Sequence, residues 1–165
     1  MAREVGQHPQ WFGPLLEIAL DDSARTGCRA AWVVEYVCRQ ELAVLFPHLE
    51  AFTRGLSNLR HESSIRPMAK CCEMLAEACA KPSAERHPLS ASQRERMAAA
   101  CFDWLIGPYP VAPKAYSMQS LYLLGREAPW IHEELQAVLL LGYPKGSAGY
   151  QARARRILKL LEKPR

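Results

Sequence analysis

The sequence predicts an all-α fold, with about eight helices paired into about four hairpins that stack as one domain over residues 1–165. Three observations predict it. Apolar residues recur at helical spacing, strand-like alternation is nearly absent, and one residue pattern returns roughly every forty positions.

Trp11, Leu15, Leu16 and Ala19 share a helical face and open a first helix, which Asp21-Asp22-Ser23 ends. A second runs from about Ala24 to Cys38, with Ala31, Val34 and Val37 on one side. The third covers Leu42 to Leu56, and Pro47 within it either starts the helix proper or kinks it. Ser63 or Ser64 caps the fourth, which reaches Ala80. The polar, proline-bearing stretch 81–88 reads as a loop between hairpins. Ser90 or Ser92 caps a fifth helix, ending at Gly107-Pro108-Tyr109-Pro110. The sixth spans Val111 to Leu124 and is stopped by Gly125 in a position favoured for C-terminal glycines. A seventh runs from Pro129 to about Leu140, and an eighth from Ser147 to about Lys163. Connections this short make successive helices antiparallel neighbours.

The repeat emerges when the even-numbered helices are superposed. Ala31, Ala69, Ala115 and Ala154 take one position, at offsets of 38, 46 and 39 residues. Three places on stand Val34, Cys72, Met118 and Ile157, and six places on Val37, Leu75, Leu121 and Leu160. Four places before the alanine are Gly27, Ile65, Val111 and Tyr150. These positions form one face, and the small alanine lets a neighbouring helix approach closely. Glu35, Glu73 and Gln119 follow the alanine by four, whereas the last helix has Leu158 there. A terminal unit lacks one neighbour, so a departure at that end is expected.

The segments Ser64-Ile65-Arg66-Pro67-Met68-Ala69-Lys70 with Leu75-Ala76, and Val111-Ala112-Pro113-Lys114-Ala115 with Leu121 and Leu124-Gly125, resemble the second helix of HEAT and armadillo-like units. The resemblance covers residues 10–163 and implies a right-handed superhelix whose second helices line the concave side. The ending over residues 143–157 is similar to that of short bacterial HEAT-like proteins, some of which carry the label adenylosuccinate lyase.

Residues 62–71 bear on that label. Lyases of that kind have a mobile loop reading Gly-Ser-Ser-x-Met-Pro-x-Lys-x-Asn. Ser63, Ser64 and Pro67 match it, but the glycine and asparagine are missing, Arg66 replaces methionine, and Lys70 falls one residue late. A helix N-cap at the serines with Pro67 in the first turn explains the same residues without catalysis.

No catalytic, cofactor-binding or metal set is expected elsewhere. His8, His48, His61, His87 and His132 are dispersed without metal-ligand spacing. Cys28, Cys38, Cys71, Cys72, Cys79 and Cys101 contain no C-x-x-C pair and read as free thiols packed in helices. Cys71 and Cys72 point about 100° apart on a helix, so they do not share a metal easily. Gly142 and Gly146 lack the lysine and hydroxyl that complete a phosphate loop.

With 49 % hydrophobic and 23 % charged residues, the composition is that of a globular chain. The first ten residues hold no apolar run, which leads to the expectation of a cytoplasmic protein. No apolar stretch is long enough for a bilayer span. Residues 145–165 carry seven basic side chains against Glu162 alone, while residues 1–144 are slightly acidic.

Two binding roles follow. One is a non-enzymatic scaffold that holds a protein partner on the concave face, with Arg29, Trp32, Glu35, Arg66, Lys70, Glu73, Lys114 and Gln119 as candidate contacts. Trp32 shares its repeat slot with Lys70, Tyr116 and Arg155, whereas Trp104 and Trp130 are expected to fill hairpin cores. The alternative is nucleic-acid backbone binding, as in HEAT-like glycosylases that remove alkylated bases, with Arg153, Arg155, Arg156 and Lys159 as phosphate contacts. Asp103 beside Trp104 is the nearest thing to a base-excision pair, and it reads more simply as a surface charge next to a packed indole.

Overall fold

A computed structural model describes residues 8–22, 25–81 and 89–162. Eight α-helices occur among them: α1 (Phe12–Leu20), α2 (Arg25–Gln40), α3 (Leu49–Gly55), α4 (Glu62–Ala80), α5 (Ala91–Ile106), α6 (Val111–Leu124), α7 (Pro129–Gly142) and α8 (Ala148–Leu161). Short 3-10 turns lie at Pro9–Trp11, Leu42–His48, Leu56–Asn58 and Tyr143–Lys145, and no strand occurs among the described residues. Ser23, Ala24, the expected loop beyond Lys81 and the expected helix end at Lys163 lie outside them.

The helices form two layers. Even-numbered α2, α4, α6 and α8 stack on one another in order, and odd-numbered α1, α3, α5 and α7 form a second row along their backs. The even helices touch over far more of their length than the odd ones do. The even helices are thus the more closely joined layer, the one expected to line the concave side. The repeat positions explain the close packing. Ala31, Ala69 and Ala154 are fully buried, as are Val34, Cys72, Met118 and Ile157 one turn on. Ala115 is only half-buried, whereas Pro113, Ser117 and Met118 on the same helix are buried.

Several local expectations change. The third helix is broken: Leu42–His48, which includes Pro47, is a 3-10 stretch, and α3 proper starts at Leu49. Ser63 and Ser64 do not cap α4. Its N-cap is His61, with extended backbone and no side-chain bond to the helix. Asp22 Oδ2 accepts from the amides of Arg60 and His61 at 2.6 and 2.9 Å, tying the first hairpin to the start of the second and fixing where α4 begins. Pro67 therefore falls inside the helix, beyond its first turn.

The expected cap of α5 does form at Ser90, whose hydroxyl accepts from Gln93 N while the Gln93 side chain accepts from Ser90 N. Ser147 likewise caps α8. Gly125 ends α6, but in ordinary right-handed conformation. Its requirement is space: a Cβ there would lie 2.0 Å from the ring of His132, whose Nε2 is 2.7 Å from the Tyr122 carbonyl oxygen.

Candidate partner-binding face

On α2, residues 32, 35 and 39 follow one another at helical spacing, so Trp32, Glu35 and Arg39 share a side. Arg66, Lys70 and Glu73 do the same on α4, as do Tyr116 and Gln119 on α6. Stacking these helices brings the three sets together. Arg39 donates to Glu35 Oε1 through Nε at 2.9 Å and Nη2 at 2.6 Å. This bond to the carboxylate raises the Arg39 pKa against the opposing effect of burial.

Between helices, the Arg66 guanidinium lies 4.6 Å above the Trp32 ring, and its Nη1 stands 3.9 Å from Glu35 Oε2. Lys70 donates to Glu73 and sits 5.0 Å above the Tyr116 ring. Arg155 donates to the Tyr143 hydroxyl from Nε at 3.1 Å and Nη2 at 2.8 Å. The repeat slot held by Trp32, Lys70, Tyr116 and Arg155 thus alternates aromatic and cation. Each member meets an oppositely disposed partner, and such contacts are worth about 0.5–1 kcal/mol where exposed.

Burial divides the predicted contacts into two kinds. Glu35 and Glu73 are buried counter-ions rather than exposed contacts. Trp32 remains 47 % exposed and Tyr36 43 %, and both Arg39 and Arg66 keep accessible surface. Arg29 is exposed one turn before Trp32. Three buried polar atoms on this face lack a hydrogen-bond partner among the described residues: Glu35 Oε2, Arg66 Nη1 and Gln119 Oε1.

Lys114 is not brought to this face. It leaves α6 on the far side from Tyr116 and lines a cleft formed with α5, α7 and α8. Arg39, Tyr36 and Tyr116 are members of the face that residue types alone did not nominate as contacts. The i,i+4 spacing of Glu35 and Arg39 was the available signal for the first.

Arg155, Arg156 and Lys159 lie on the exposed side of α8. Arg155 is engaged by Tyr143, Arg153 is half-buried, and Arg156 and Lys159 are exposed. Helical geometry places Arg155, Lys159 and Arg156 within one arc of about 100°, with Arg153 a further step round the helix. Arg66 and Lys70, the cations nearest in kind, face Glu35 and Glu73. Trp104 is buried as expected, but Trp130 is 48 % exposed, resting beside Phe102 at 6.4 Å between ring centroids.

The thiols are threaded through the core. Cys71 interacts with Cys38 on α2 and Cys72 with Cys101 on α5, the divergence their adjacent helical positions require. The Cys38 contact and burial push the Cys71 thiol pKa up, and burial with Cys101 does the same for Cys72. No three His, Cys, Asp or Glu side chains among the described residues gather in a way that could hold a metal ion. Ser64 is fully buried, its hydroxyl 3.3 Å from Cys28 Sγ, a packed setting quite unlike a mobile catalytic loop.

Hairpins in two layers, with one polar and aromatic inner face, define a helical-repeat protein. A family model described as a HEAT repeat domain matches residues 1–161, and the chain belongs to that family. The chain matches no curated protein and no solved structure. The family match gives no support to the adenylosuccinate lyase label. Among the described residues no helix is long and apolar enough to cross a membrane.

Proposed function

We propose that the chain is a non-enzymatic scaffold that holds a protein or peptide partner on its concave face, across α2, α4 and α6. The observation that carries this reading is the grouping of exposed Trp32 and Tyr36 with Arg39 and Arg66 on one side of the stack. Tryptophan, tyrosine and arginine are the residue types that dominate binding energy at protein interfaces. A solenoid's inner surface presents them along an extended groove. Glu35 Oε2, Arg66 Nη1 and Gln119 Oε1, none of which has a hydrogen bond among the described residues, offer further polar contacts on the same helices. HEAT-family membership is consistent with scaffolding.

The test is comparative capture. Immobilised wild-type chain, a Trp32→Ala/Arg66→Ala variant and an outer-layer control, Glu95→Ala, are exposed to the same source extract. A partner held by wild type and control but lost from the double variant supports the reading. Equal retention by all three removes the concave face from consideration. Binding to duplex DNA that weakens steeply with salt and needs Arg153 and Arg156 would instead favour the nucleic-acid alternative.

A further inference from the structure

A cleft of about 640 Å³ opens where the third and fourth hairpins meet, away from the Trp32 face. Its apolar walls include Leu105 and Ile106 at the end of α5, Val111 on α6, and Val138 and Leu141 on α7. Ile106 is 65 % exposed and Leu141 79 %, an unusual outlay of large aliphatic surface at one mouth. The volume falls within the range of small-molecule sites.

Two cations enter the same cleft, Lys114 from α6 and Lys145 from the turn before α8. Neither makes an ion pair or hydrogen bond with another described residue. Partial burial alone lowers the Lys114 pKa, with no carboxylate nearby to offset it. The Tyr150 hydroxyl, also lining the cleft, has no partner among the described residues. Lone ammonium groups at the edge of an aliphatic cavity are complementary to an anionic head carried on an apolar body.

We infer that this cleft binds a small amphipathic carboxylate, its hydrocarbon part against Leu105, Val111 and Leu141 and its carboxylate on Lys114 and Lys145. The inference is independent of the concave-face reading, because no residue is shared between the two sites.

Calorimetric titration with decanoate, kept below its micellar concentration, provides the test. One decanoate per chain is expected, with Lys114→Gln weakening binding roughly tenfold, the loss of one charge-assisted contact. Leu141→Asp, at a solvent-exposed position, should abolish binding while circular dichroism stays unchanged. Decanol should bind wild type more weakly, and Lys114→Gln should leave that binding unaltered. Absence of saturable binding, several decanoates per chain, or equal decanoate affinity in wild type and Lys114→Gln overturns the proposal.

Discussion

Glu35 Oε2 faces Arg66 Nη1 at 3.9 Å across the junction of α2 and α4, and neither atom has a hydrogen bond among the described residues. The two charges attract, but the contact is too long to satisfy either group's hydrogen-bonding capacity. Glu35 is held in place by Arg39, so Arg66 is the looser member and has the Trp32 ring to rest on.

Truncations at this junction should therefore be unequal. Glu35→Ala removes the buried counter-ion of two arginines and is expected to cost about 1–3 kcal/mol. Arg66→Ala leaves Glu35 bonded to Arg39 and should cost less. Urea denaturation of both variants measures the difference, and a larger loss for Arg66→Ala would contradict this order.

Overpacking should distinguish the repeat alanines. Ala69 is fully buried in α4, and Ala69→Leu is expected to destabilise by about 1–3 kcal/mol. Ala115 is half-buried, and Ala115→Leu should shift the melting temperature little. Thermal melts of the pair check whether the four alanines are equivalent by position only.

The thiols should divide by depth. Cys38, Cys71, Cys72 and Cys101 are buried, while Cys28 and Cys79 are half-buried. A thiol reagent under native conditions should modify those last two first and the other four only on unfolding. Because the folded Cys71 and Cys72 pKa values lie above the ordinary 9.0, the folded chain keeps protons that the unfolded chain releases. That contribution to stability is whole below about pH 9 and is lost as the pH rises further. Denaturation midpoints taken between pH 7 and 10 should fall at the alkaline end, and replacing Cys71 and Cys72 together by alanine should flatten that fall.

Gly142 and Tyr150 should behave as a coupled pair. A Cβ at Gly142 would sit 2.3 Å from the Tyr150 hydroxyl and 3.1 Å from Cζ. Gly142→Ala is expected to destabilise, and Tyr150→Phe, by removing the nearer atom, should recover part of that loss. A double-mutant cycle reads the coupling, and strict additivity would show that the clash is relieved elsewhere.

Helices and their pairing were legible in the sequence because periodicity and short connections depend on local pattern. The repeat slots were legible too, since Ala31, Ala69 and Ala154 and the residues one turn on all reach the core. What local pattern does not carry is the approach between helices. Asp22 reaches forward to Arg60 and His61, and that long-range contact moved the start of α4 away from Ser63. Glu35 and Glu73 looked like surface charges because their burial depends on neighbouring helices, not on their own. Lys114 has the residue type of a groove contact, yet helical rotation turns it into the opposite cleft.

The unequal spacing of the two layers has a mechanical meaning. Bending such a stack strains its loosely joined outer row first, whereas the densely joined even helices act as a neutral line whose length hardly changes. The interval from Trp32 to Tyr116 is therefore set by the more closely joined layer, and flexing of the stack would change its curvature more than the spacing of those side chains.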